Sequence, residues 1–291
     1  MRPLGLTLTA LVLAGPALLA QSPPSPAVKP AVGGGEPVLP AAPVLSERNQ
    51  KVLDHFLAAW EKRMKGVASL DAKCAKTEVF VDDRGQEERR VTTGEAQLMK
   101  PNYARLFLKD PEDPGNTKRA SFMVSDGKYF WDYQYAFKVV KVQELEKDGF
   151  GDSTLMSFLF GTSAAQLKQR YHLAVDEADP KRYNKNYVHI MVLPKTKADL
   201  QEFKKAELVL WKNTEDDKYA DLWMLPARVW FQKVNGEQAV WQFENMTTKK
   251  NLTAKHFEAP QLPDKTWRRE WMTLPKPDVV RPVSGAGVPK K

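Results

Sequence analysis

Residues 47–65 carry Leu53, Phe56, Leu57, Trp60 and Met64 three or four positions apart, one apolar stripe at the period of an α-helix. Ser46 stands directly before it as an N-cap. The pattern predicts a helix that lays this stripe against a sheet. Beyond it the period shortens: runs rich in β-branched and aromatic residues at 77–81, 90–100, 103–108, 120–124, 129–133 and 139–142 read as strands. Asp82-Asp83-Arg84-Gly85, the Pro/Gly stretch at 110–115 and Ser125-Asp126-Gly127-Lys128 supply the turns between them. A second set follows at 187–193, 206–211, 225–234 and 237–243, with Asn235-Gly236 as a hairpin signal and a short closing strand near Phe257. Between the sets, Asp152 or Ser153 can cap a short helix holding Leu155, Met156, Phe158, Leu159 and Phe160. Gly161 ends it, and Ser163 caps another helix running through Leu167 to Tyr171. A helix apolar on nearly every side needs cover on more than one face. Roughly nine or ten antiparallel strands with so few helices predict an α+β fold. It is a single curved antiparallel sheet, with an N-terminal helix and a central helical lid over the concave face.

The ends of the chain do not share this patterning. Arg2 followed by an apolar run from Leu4 to Leu19, with a break point after Ala20, predicts a signal peptide over 1–20. Residues 21–45 are Pro, Ala and Gly with few charges, a semi-rigid tether. One domain is expected over 46–272 and a basic, Pro-containing tail over 273–291. No internal repeat is visible. The predicted location is the periplasm, or another exported compartment of a bacterial envelope.

Charge and cysteine content narrow the function. The formal charge of +8 is dispersed in pairs such as Arg89-Arg90 and Lys249-Lys250, with no dense basic stripe. Together with export, that argues against nucleic acid and for weak peripheral contact with anionic membrane surfaces. Cys74 is the only cysteine, so no intramolecular disulfide can form. His55, His172, His189 and His256 lack metal-ligand spacing, and no nucleophile elbow, phosphate loop or dinucleotide fingerprint occurs. No metal, no cofactor and no catalysis are expected. What stands out is apolar bulk in the strands, including Phe130, Trp131, Tyr133, Leu208, Trp211, Trp230, Phe231, Trp241 and Phe243. A curved sheet with such groups on its concave face needs a helix or a ligand to cover them.

Several short motifs fall in an order that resembles the LolA family of periplasmic lipoprotein carriers. They begin with Lys100-Pro101-Asn102, then Val124-Ser125-Asp126-Gly127-Lys128 followed by Trp131 and Tyr133, then Phe137 to Val142. Leu155 to Phe160 sits where a cavity-covering helix belongs, and Leu193-Pro194-Lys195 and Thr253 to Pro260 complete the series. The likeness spans about 53–260. It implies an open half-barrel of eleven-stranded type whose apolar concave side, lidded by helices, receives acyl chains. Lys100 stands where that family has an Arg bonded to the lid, but Lys lacks the planar fork for bidentate contacts. The long tether and the inserts near 176–186 and 213–222 are further departures.

The residues expected to meet ligand are Leu98, Lys100, Leu106, Leu108, Trp131, Tyr133, Leu155, Phe158, Leu159 and Trp211. The expected function is a monomeric, non-catalytic carrier or sensor of lipid, acyl chains or an acylated protein. The alternative on the same fold is an envelope protein-interaction module without a lipid ligand. A closed structural domain is the third reading, and a hydrolase ranks last for want of a nucleophile and base.

Overall fold

The computed structural model describes residues 38–116, 120–145, 154–160, 162–212, 217–262 and 265–272. The expected signal peptide at 1–20, residues 21–37 of the tether and the tail at 273–291 lie outside the described residues, as do Asp152, Ser153 and Gly161.

Helix α1, Glu47–Gly66, starts where the sequence places it: the Ser46 hydroxyl accepts the Asn49 N–H at 3.1 Å. All five residues of the predicted stripe are buried. Six strands follow: β1 Ser69–Val81, β2 Glu87–Met99, β3 Tyr103–Lys109, β4 Ser121–Asp126, β5 Tyr129–Gln134 and β6 Val139–Glu144. Next come α2 Thr154–Phe160, α3 Ala164–Arg170, β7 Tyr171–Ala174, β8 Tyr187–Pro194 and α4 Lys197–Glu202. The chain closes with β9 Lys205–Trp211, β10 Pro226–Gln232, β11 Gln238–Thr247 and β12 Arg268–Met272. Among the described residues no helix is long and apolar enough to cross a membrane.

The strands form one open sheet in the order β12-β6-β5-β4-β3-β2-β1-β11-β10-β9-β8-β7. It is two antiparallel meanders joined through the pairing of β1 with β11; the β12–β6 pair alone is parallel. The α+β half-barrel class expected from the sequence is therefore what the chain adopts. Its curvature follows from distance: Phe130 on β5 and Phe231 on β10 border one cleft although they stand six strands apart. In a flat sheet at ~4.8 Å per strand they would be about 29 Å apart.

Several details differ from the sequence reading. β1 begins well before residue 77, because Leu70, Ala72 and Cys74 point inward while Asp71 and Lys73 point away. β7 and α4 are too short to impose a period. β12 is exposed at all five residues, so it has no alternation to read. Phe257 lies in a 3₁₀ turn, Ala254–Phe257, rather than a strand. Its buried ring tilts against Tyr103 with centroids 5.5 Å apart, sealing the end of β3. The Val124–Lys128 motif is a tight turn in which Gly127 has φ 91°, a conformation side chains resist. The Tyr103 ring lies 3.1 Å from where a Cβ would stand.

Candidate functional site

The strand pleat divides the apolar residues between two faces. The concave face and the helices share one buried cluster, in which Leu98, Leu106 and Leu108 meet Trp60 and Met64 of α1 and Phe158 and Leu159 of α2. Five of the ten residues expected to meet ligand are thus brought together, but against protein. Phe158 is 0% exposed; its ring stacks on Phe231 at 6.3 Å and tilts against Tyr171 at 6.4 Å. The space among Met64, Leu98, Lys100 and Leu159 is about 10 Å³, room for at most one water. The half-barrel is filled at this end.

Trp131 and Tyr133 are on the other face. They pack with Phe122, Val124, Val142 and Trp267 in a satellite cluster, and the Tyr133 hydroxyl donates to the Pro260 carbonyl at 2.6 Å. Burial pushes the Tyr133 hydroxyl up to about 12. Because faces alternate along β5, the inward aromatic there is Phe130. Trp211 lies at the end of β9 against Tyr187, ring centroids 4.7 Å apart, and does not border the cleft described below.

Lys100 caps α1. Its ammonium donates to the Met64 carbonyl, which also accepts the Val67 N–H at 3.2 Å, and, at 3.4 Å, to that of Lys65, two carbonyls at the helix C-terminus. Loss of water around the ammonium lowers its pKa. Lys100→Leu is expected to cost about 1–2 kcal/mol of stability, measured as a shift in the urea midpoint. Chain binding should be untouched, since the cleft lies some seven residues further along β1, about 23 Å at ~3.3 Å per residue. Weaker binding at unchanged stability would show that Lys100 touches the ligand instead.

At the opposite mouth a cleft of about 470 Å³ lies between α2, α4 and the strands. Its apolar walls are Phe130, Leu145, Leu155, Phe203, Phe231 and Trp241, with Ala239 beside them. Of the ten expected residues only Leu155 borders it. The rest were missed, yet β1 holds a signal. Its inward row runs Leu70, Ala72, Cys74, Lys76, Glu78: the change from apolar to charged marks where the packed core gives way to the mouth.

The charges at this mouth are arranged in pairs, with one exception. Lys76 meets Glu78 at 2.6 Å and lies over the Trp241 ring, 5.2 Å from its centroid. Lys233 meets Glu237 at 2.7 Å. Glu202, at the end of α4, has no ion pair among the described residues. Its carboxylate accepts the Thr154 hydroxyl at 2.7 Å, and that hydroxyl is 3.0 Å from the Tyr171 hydroxyl. With the Thr154 proton given to Glu202, Tyr171 is the donor to Thr154, giving a chain Tyr171→Thr154→Glu202. Although Glu202 is exposed as a residue, loss of water around its carboxyl raises its pKa, against the Thr154 bonds and the nearby Arg170, itself bonded to Asp199. Burial likewise pushes the Tyr171 hydroxyl up to about 12.

No His, Cys or Ser is among the lining residues of the cleft. Cys74 lies in the core, its thiol pushed up to about 12 by burial and by Glu95. Among the described residues no three His, Cys, Asp or Glu converge on a metal position.

No protein-family model matches the chain, nor does any curated protein sequence. Among solved structures it is similar to an uncharacterized conserved protein from Thermus thermophilus. The two share 13% identity over 76% of this chain and 99% of that one, with a TM-score of 0.42. It is also similar to a LolA superfamily protein from Nitrosomonas europaea, at 12% identity over 71% of this chain and 97% of that one, with a TM-score of 0.36.

Proposed function

We propose that this protein is an exported, non-catalytic carrier or sensor that holds the apolar chain of an amphiphile in the mouth of its half-barrel. One observation carries the reading: a cleft of about 470 Å³, walled by six large apolar side chains and rimmed by charged ones, stays open where the rest of the concave face is packed. Its size falls in the range of about 300–1,000 Å³ usual for small-molecule sites. Each methylene placed on such walls contributes about 0.8 kcal/mol, so a chain of moderate length binds without a strong polar contact. The expectation of acyl chains beneath α2 moves accordingly, from the filled end of the barrel to its open mouth.

Ala239→Trp tests this by adding bulk to the cleft wall. Ala239 is half-buried on β11 between Glu78 and Phe231, so the larger ring can enter the open space without displacing a core residue. Affinity for a fluorescent fatty-acid probe is expected to fall at least about tenfold, or about 1.4 kcal/mol, with an unchanged circular dichroism spectrum. Unchanged affinity in a folded variant rules the cleft out as the site.

The interaction-module reading has its own support in β12, an exposed edge strand bearing Trp271 at 61% and Met272 at 47% exposure. Such edges accept strands from partners. The two readings separate cleanly, because filling the cleft leaves β12 unaltered.

A further inference from the structure

We infer that the ligand of this cleft carries an ammonium or amine head, set against Glu202 and the half-buried aromatic rings of the cleft wall, Phe130 and Phe231. The inference rests on the cleft being the binding site and adds the chemistry of the head group.

Ion pairing at the mouth is the first support. Two lysines and two glutamates line the cleft, which suggests no preference by count alone. Their pairing breaks the tie. Lys76 is matched by Glu78, and Lys233 by Glu237 outside the cleft. Glu202 makes no direct ion pair among the described residues; the nearby Arg170, itself bonded to Asp199, acts on it through its charge alone. A carboxylate offers about four acceptor positions, and the Thr154 side chain takes one. A ligand cation there gains a charge-assisted contact, whereas an anion meets a carboxylate that no direct ion pair neutralises.

The aromatic wall is the second support. Aromatic faces attract ammonium groups, and quaternary ammonium ligands are recognised on such walls. The protein already does this internally by holding the Lys76 ammonium over Trp241. An apolar chain with a cationic head would therefore find both halves of its chemistry within one cleft, despite the basic character of the chain as a whole.

The arrangement also ties binding to pH. Glu202 must be ionised to favour the cation, and its carboxyl is displaced toward the neutral form by loss of water. The groups facing it are Thr154 and Tyr171, the Arg170–Asp199 pair, and, across the cleft, Lys76, Glu78 and Lys233. A bound cation lowers the Glu202 pKa, so binding releases a proton. Affinity for a cationic probe then rises as pH increases through the titration of Glu202.

The test is calorimetric titration of the whole protein with three probes built on a ten-carbon chain, decyltrimethylammonium, decanoate and 1,2-decanediol, each below its micelle concentration. The ammonium probe is expected to bind about tenfold tighter than decanoate, with the diol between them. Glu202→Gln should bring the ammonium probe down to the diol's affinity and leave the diol unchanged. Heats for the ammonium probe near the Glu202 titration should vary with the buffer's ionisation enthalpy, which a merely structural Glu202 would not produce. Equal affinities for the three probes, or a preference for decanoate, would overturn the head-group assignment while leaving the cleft in place. Failure of all three to bind would overturn the cleft reading itself, and the assignment with it.

Discussion

Phe158→Asp is expected to abolish the fold rather than a ligand contact. The Phe158 side chain is fully enclosed between Phe231, Tyr171 and the concave core, on a helix whose Met156 and Leu159 are buried beside it. Truncating such a ring costs about 3–5 kcal/mol, and an unpaired carboxylate in its place adds several more. The sum approaches the whole stability of a domain, about 5–15 kcal/mol. Far-ultraviolet circular dichroism should show loss of native signal at 25 °C, while Phe158→Leu keeps the fold with a lowered urea midpoint. A folded Phe158→Asp protein that has merely lost probe binding would show instead that α2 is a displaceable lid over a chain-filled barrel.

Gly94→Ala is expected to be nearly as damaging, for a reason unrelated to burying apolar surface. Gly94 sits in β2 between Cys74 of β1 and Leu108 of β3. A methyl group there would overlap the backbone carbonyl of Phe107 and come within 3.1 Å of the Leu108 Cα. Backbone atoms cannot rotate aside as a side-chain tip can, so β2 and β3 must separate where Leu108 is wholly buried. A loss of about 3 kcal/mol or more is expected. At a urea slope of about 1–3 kcal/mol per molar, the midpoint drops by roughly 1 M or more. Gly66→Ala is the control: a methyl at the end of α1 meets nothing within 4 Å, and its midpoint should scarcely move. Equal midpoints for the two variants would mean that the β2–β3 approach is looser than the structure gives.

The sequence by itself determined the elements whose pattern is local. The α1 stripe, its Ser46 cap, the Ser163 cap of α3 and the hairpins at Gly85, Gly127 and Gly236 all stand where the chain places them. In each, the residues that decide lie within a few positions of one another. The α+β class with one curved sheet followed from many short strands and few helices, and the open half-barrel was what the resemblance to the LolA family implied.

What only the tertiary structure decided was which apolar face meets what. Trp131 and Phe130 are adjacent in sequence and equally apolar, yet the pleat sends them to opposite sides of the sheet. No local signal says which side is concave. Phe158 reads as a lid residue until Tyr171 and Phe231 are seen to enclose it. Lys100 reads as a cavity cation until the end of α1 arrives with its carbonyls. The cleft joins Phe130, Glu202 and Trp241, which belong to segments far apart in the chain. Only sheet curvature, summed over many strand pairs, brings those segments within reach of one ligand. That sum is a long-range property, set by packing across the whole core, and no stretch of sequence contains it.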